Sequence, residues 1–217
     1  MRLYIIPYLY LSAVLAQQAK RTLFAPRVGL NWGQYQTQAD NIVSRSYWGG
    51  GFHSALAFQQ QLDAKGWWAI QGEIGVTQRR STDRNLLYDY RYTIWSTDIA
   101  LLGVWRWMRK FEALFIEAGP SSGLLVHGKY WKRDNLTGEV ETRQVRFGRR
   151  EASDVRRAEL ALNLGLGAGY LAGPGYLTFG LRFWHGVNNV ASGLFQRWHN
   201  YGVLMTLAYW YDDSLRE

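Results

Sequence analysis

Between Glu159 and Gly186 the chain reads ELALNLGLGAGYLAGPGYLTFGLRFWHG, and its large apolar residues fall on alternate positions. Leu160, Leu162, Leu164 and Leu166 form one set, and Leu177, Phe179, Leu181 and Phe183 the other. Between them stand Glu159, Asn163, glycines, Thr178 and Arg182. A period of two places side chains on opposite faces of a strand, so this stretch predicts two strands joined at Gly173-Pro174-Gly175. One face is uniformly apolar; the other carries charge and little bulk.

The same alternation recurs along the chain. It predicts strands near 27–35, 50–60, 67–79, 92–107 and 111–129, then the pair just described, then 200–211. The connections sort by length. Those at 63–66, 108–110 and 173–175 are short, whereas 36–49, 80–91, 130–156 and 187–199 are long and polar. Tight turns on one rim and long loops on the other are the pattern of an up-and-down barrel in an outer membrane. The predicted fold is therefore all-β: an eight-stranded antiparallel up-and-down transmembrane β-barrel with short periplasmic turns and long extracellular loops.

The faces decide which solvent each side meets. Val28, Leu30, Trp32, Phe52, Leu56, Phe58, Ile74, Val76, Ile99, Leu101, Leu114, Ile116 and Leu207 share the apolar face. The alternate positions hold Gly29, Asn31, Gly33, His53, Gln71, Glu73, Asp98, Arg106, Glu117, Glu159, Asn163, Arg182 and Thr206. Eight strands leave a lumen only just filled by side chains, which suits small residues with a few long charged ones. A charged Arg or Lys facing lipid at mid-membrane would cost about 2–4 kcal/mol. The leucines are thus assigned to hydrocarbon. Glu73, Asp98, Arg106, Glu117, Glu159 and Arg182 are assigned to a lumen charge network, the glutamates facing Arg106 and Arg182, with Gln71 and Asn163 completing the hydrogen bonds. A soluble lipocalin-like binder, the alternative, would turn the apolar face inward.

Composition sharpens this picture. Aromatic residues make up 16% of the 217 residues, with 11 Trp and 14 Tyr, and they gather near predicted strand ends, as at Trp67-Trp68, Trp105, Trp107 and Tyr209–Tyr211. Amphipathic rings favour the headgroup level. The chain has no Cys, so disulfides and thiolate metal sites are excluded. Residues 1–16, MRLYIIPYLYLSAVLA, have the grammar of a signal peptide: Arg2, an apolar stretch, and Val14 and Ala16 at the −3 and −1 sites. Residues 17–217 then form one barrel domain.

Candidate chemistry is sparse. His53 and Ser54 are neighbours and point to opposite faces, and His185-Gly186-Val187 lacks a nucleophile at the third position. Four scattered histidines make no metal cluster, and GLGAG lies inside a strand, so no catalytic, cofactor or metal residue is assigned. An outer-membrane enzyme acting on the acyl chains of lipid A or phospholipid is the alternative from another class. The formal charge is +8, and residues 129–157 hold nine Lys or Arg against five Asp or Glu. Arg149, Arg150, Arg156 and Arg157 mark a basic loop with two readings: a solvated stretch that keeps the rim wet, or a surface that attracts lipopolysaccharide phosphates or an anionic envelope protein. No nucleic-acid module is recognised.

Several runs carry a family likeness: VGLNWG (28–33), GFHSALAF (51–58), QGEIG (71–75), FIEAGPSSGLL (115–125), ELALNLGLGAGY (159–170), RFWHGVNNV (182–190) and NYGVLMTLAYWY (200–211). In order and spacing the chain resembles the PorT-like outer-membrane β-barrel proteins of Bacteroidetes. Ala100 departs from the Pro frequent in that group, and Glu159 from its commoner Asp. The resemblance implies fold and outer-membrane location and supplies no catalytic residues. Members of that group differ in role, some acting in protein secretion, and the expected function is a structural or interaction role, as in an accessory subunit of an envelope or secretion complex.

If residues 1–16 are a signal, the mature protein begins at Gln17. N-terminal sequencing of protein extracted from the outer membrane is expected to read QQAKR; a retained Met1 would contradict it.

Overall fold

The computed structural model describes residues 22–39, 45–63, 65–109, 112–148, 155–190 and 196–211. The signal segment 1–16 and the loop residues Arg149 and Arg150 lie outside the described residues. Nine strands follow in order: β1 Thr22–Ala39, β2 Arg45–Gln61, β3 Trp68–Arg84, β4 Tyr88–Arg109, β5 Glu112–Asp134, β6 Val140–Gln144, β7 Ala158–Leu171, β8 Gly175–Gly186 and β9 Gln196–Tyr211. Each chain neighbour pairs antiparallel, except that β5 carries both β6 and β7 along one edge. β9 returns to β1, closing an eight-stranded barrel.

The eight barrel strands are those the alternation predicts, but most run further. Arg80–Arg84 and Tyr88–Arg91 belong to β3 and β4, so only 85–87 remains as a turn. β4 and β5 have 22 and 23 residues, against 14 and 12 in β7 and β8. About 9–11 tilted residues cross a bilayer. The surplus on β3–β5 therefore stands above the membrane as a sheet, and β6 extends it. Polar composition hid this, because a strand outside the membrane no longer needs an apolar face. The chain runs straight through the level at which the sequence suggests a loop.

The outward set is as assigned. Leu56 is 66% exposed, Ile99 59%, and Leu160 to Leu166 50–61%, while Glu73, Glu117, Glu159 and Arg182 are 2–4% exposed on the inside. That orientation removes the lipocalin-like alternative, whose apolar face would line the interior. The lumen is nevertheless more apolar than the sequence suggests. Leu23, Ala57, Ala208 and Trp210 pack at the turn end, and Ala69, Val104 and Phe115 form a second cluster. Ala161, Trp184 and Leu204 form a third, and Tyr35, Ile94, Leu125, Val145, Val155 and Val190 close the loop end. Ionic layers sit between these apolar ones.

Glycine makes the packing possible. A Cβ on Gly167 would lie 2.2 Å from the Phe115 ring, and one on Gly165 would lie 2.8 Å from Glu117 Cγ. The GLGAG run thus yields lumen volume to the bulky side chains of β5 opposite.

Candidate functional site

Closure of the sheet brings inward positions of strands distant in sequence to one level. Arg27 of β1, Glu73 of β3, Glu117 of β5 and Arg182 of β8 meet there as two cations and two anions. Arg182 donates from Nη1 to Glu73 Oε2 and from Nη2 to Glu73 Oε1, both at 2.8 Å. Its Nε donates to Glu117 Oε1 at 2.6 Å. Arg27 pairs with Glu73 through Nη1 and with Glu117 through Nη2, the latter at 3.3 Å. Each carboxylate therefore bridges both guanidinium groups. Gln71 Nε2 adds a donor to Glu73 at 2.6 Å.

A second cluster lies toward the loop end. Arg79 Nη1 donates to Glu159 Oε2 at 2.6 Å and Nη2 to Asp98 Oδ2 at 3.3 Å. Asn200 Nδ2 supports Glu159 at 2.6 Å. The Arg79 guanidinium also lies 5.8 Å from the Trp184 ring, within cation–π range. Arg106, toward the turn end, donates to the amide oxygen of Gln59. Asn163 donates to Gly119 O at 3.2 Å and Ser121 Oγ at 2.9 Å, outside the four-charge cluster.

All six predicted network residues thus lie on the inner face, but they form two clusters and an outlier. Arg27 and Arg79 complete the charge balance and were missed. Both share the odd-numbered inward parity of Gly29 and Glu73, so strand parity held the signal. They stand at the ends of their predicted strands, where a boundary error of a few residues conceals a site. Partner choice was not legible, because it depends on which strands face each other across the closed barrel.

Between the clusters is a polar chamber lined by Asn31, His53, Thr77, Arg79, Asp98 and Trp184, among others. His53 Nδ1 hydrogen-bonds Thr77 Oγ1 at 2.9 Å. Asn31 Oδ1, His53 Nε2, Asp98 Oδ1 and Trp184 Nε1 are buried and have no protein partner. Convergent polar atoms of this kind are the usual seats of ordered water. No group of three or more His, Cys, Asp or Glu able to hold a metal occurs among the described residues. His127 and His185 are exposed, and Ser54 faces outward, away from His53.

Outside the membrane, the basic loop is described only in part. Arg156 and Arg157 are exposed, and their backbones tie the loop to Val190 and Leu125. The β5–β6 turn is held by Asp134. Backbone N–H groups of Thr137 and Leu136 donate to its carboxylate at 3.1 and 2.8 Å and hold its pKa below the usual range.

The closed antiparallel barrel now has its counterpart among known proteins. A family model for the outer membrane protein β-barrel domain matches residues 15–192. The chain belongs to that family. It is an integral protein of the outer membrane. Similar solved structures include Ail of Yersinia pestis at 15% identity, covering 89% of this chain and 98% of that one, with a TM-score of 0.42. OprG of Pseudomonas aeruginosa has 11% identity, coverage of 90% and 98%, and a TM-score of 0.49. Neisserial surface protein A has 9% identity, coverage of 86% and 96%, and a TM-score of 0.44. No curated protein sequence matches the chain.

The clusters make a graded mutational prediction for this outer membrane barrel. Arg182→Leu strips a partner from two buried carboxylates and is expected to destabilise the barrel by about 3–5 kcal/mol. Arg156→Leu, on the exposed loop, is expected to change stability by less than about 0.5 kcal/mol. Urea unfolding of both variants in lipid vesicles checks the difference, and equal tolerance would contradict a paired ionic core.

Proposed function

We propose that the chain is a closed, non-enzymatic outer-membrane barrel with a structural or interaction role, displaying its β3–β6 sheet and basic loop outside the cell. The observation that carries this reading is the lumen. Arg27, Glu73, Glu117 and Arg182 fill it at 2–4% exposure, with apolar layers on either side, which leaves little room for water at that level. Solute transport through an open pore is therefore disfavoured. The exposed cations suit an anionic partner at the cell surface, either lipopolysaccharide or another envelope protein.

The domain division belongs to the same reading, with residues 1–16 as a signal peptide and 17–217 as the mature barrel. So does the finer affinity with the PorT-like group, which rests on the motif order quoted above. That likeness favours membership of an envelope or secretion complex. The lipid-modifying alternative has no support from the described histidines: His53 is in the lumen, bonded to Thr77 rather than to a serine.

Planar-bilayer recording of the purified protein tests the closed reading. No large steady conductance is expected. Sustained porin-scale current would make the lumen a hydrated pore and overturn it, and release of acyl chains from labelled lipid A would overturn the non-enzymatic part.

A further inference from the structure

The outward face of β3–β5 changes character partway along the strands. Its lower part is apolar: Ile74, Val76, Ile99, Leu101, Leu124 and Val126 are 44–59% exposed. Further along the same face stand Arg80, Arg84, Arg91, Lys129 and Arg133, all exposed. Register puts them in three adjacent rows: Arg80 with Thr93 and Lys129, then Thr82 with Arg91 and Trp131, then Arg84 with Asp89 and Arg133. The inward neighbours confirm the parity, since Ser81, Asp83 and Ile94 are 0–3% exposed. Asp89 is the one acid in these rows, 3.9 Å from Arg84. Five cations thus oppose a single carboxylate.

Height identifies what they meet. Arg80 is two residues beyond Gln78, the level of Val126, the last apolar residue of this face, which at about 3.3 Å per residue and a 35–45° tilt is roughly 5 Å along the membrane normal. That is the headgroup layer. The two further rows add about 5 Å each. Rings hold two of the cations in place: Arg91 lies 4.6 Å from the Trp131 ring and Arg84 5.2 Å from that of Tyr47.

A molecule touching this face sits beside the barrel in the membrane plane. Its apolar part lies against Leu124 and Val126, and its anionic part against the cations. Three tiers of positive charge fit a lipid whose phosphates occur at several heights. We propose that this wall is a binding site for the phosphates of outer-leaflet lipopolysaccharide, those of lipid A at the Arg80–Lys129 row and those of the inner core at Arg91 and Arg133. The assignment rests on the membrane-embedded reading above. It moves the principal anion contact from the basic loop to the membrane-facing sheet.

The test compares two charge-matched variants of the full-length protein. One carries Arg80→Gln, Arg91→Gln, Lys129→Gln and Arg133→Gln; the other carries Arg149→Gln, Arg150→Gln, Arg156→Gln and Arg157→Gln. Heat-modifiable migration and outer-membrane fractionation first establish that each still forms an embedded barrel; wild-type protein that needed no detergent would instead contradict the membrane reading itself. Binding in neutral detergent with a chelator present is then measured for bisphosphorylated lipid A, chemically dephosphorylated lipid A and inositol hexakisphosphate. Wild type and the loop variant are expected to prefer the bisphosphorylated lipid at least tenfold, and the wall variant to lose that preference. Added salt should weaken the wild-type preference. If the wall variant does not fold, Arg91→Gln with Arg133→Gln, both above the membrane, is expected to reduce binding of phosphorylated core lipopolysaccharide at least threefold. A wall variant that keeps the preference, or a loop variant that loses it, would overturn the proposal. So would wild type that binds inositol hexakisphosphate as tightly as lipid A, which would mean that charge alone is read.

Discussion

A charge buried in this barrel has nowhere to go except to another charge. Lipid surrounds the outer face, and eight strands leave a lumen too narrow for bulk water, so a guanidinium on an inward position must find a carboxylate across the axis. Arg182 does so with Glu73 and Glu117 at once, and Arg27 meets the same two carboxylates from β1. These four residues come from β1, β3, β5 and β8. Their pairing is satisfied only when the sheet has closed in the correct register. Buried ion pairs often contribute little net stability compared with well-packed apolar groups. What this cluster adds is discrimination: a slip of one residue in any of the four strands would turn a charge toward lipid.

The same constraint orders the rest of the lumen. Apolar layers at each end exclude water from the ionic ones, which strengthens pairing inside and raises the cost of losing a partner. Arg79, Glu159 and Asp98 repeat the arrangement nearer the loop end with an excess acid, and Asn200 adds a donor to Glu159. Above the membrane the constraint lapses. There β3–β5 carry cations on the face that had carried leucine and valine, and tyrosines 88, 90, 92 and 130 pack ring against ring on the other. One pair of faces thus serves two environments, and the change falls where the bilayer ends.

Much of this was legible in the sequence. Strand parity assigned the faces correctly from Leu160 to Phe183 and put all six network charges inside, because membrane burial forces a strict period of two. The Gly173-Pro174-Gly175 turn was equally clear, since it punctuates an otherwise regular pattern, whereas the turn expected at 108–110 was set too early: Met108 and Arg109 continue β4 and pair with Ala113 and Glu112. Two further things were not legible. The extramembrane extensions of β3–β5, and β6 beside them, lack an apolar face and read as loops. The pairings were also hidden: Glu159 meets Arg79 rather than Arg106 or Arg182, because which inward residues oppose one another is set by barrel closure and not by sequence distance.

The central claim is that Arg182 and Glu73 act as one unit within a balanced set of four charges. A double-mutant cycle with Arg182→Met and Glu73→Gln, read by urea unfolding in vesicles, measures this directly. Either substitution alone leaves a buried charge in excess, whereas the two together leave Arg27 and Glu117 as a balanced pair. The double variant is therefore expected to be more stable than the sum of the single effects by about 2 kcal/mol or more. Additivity within about 0.5 kcal/mol would show that the two side chains are independently solvated, and the paired-lumen account would fail.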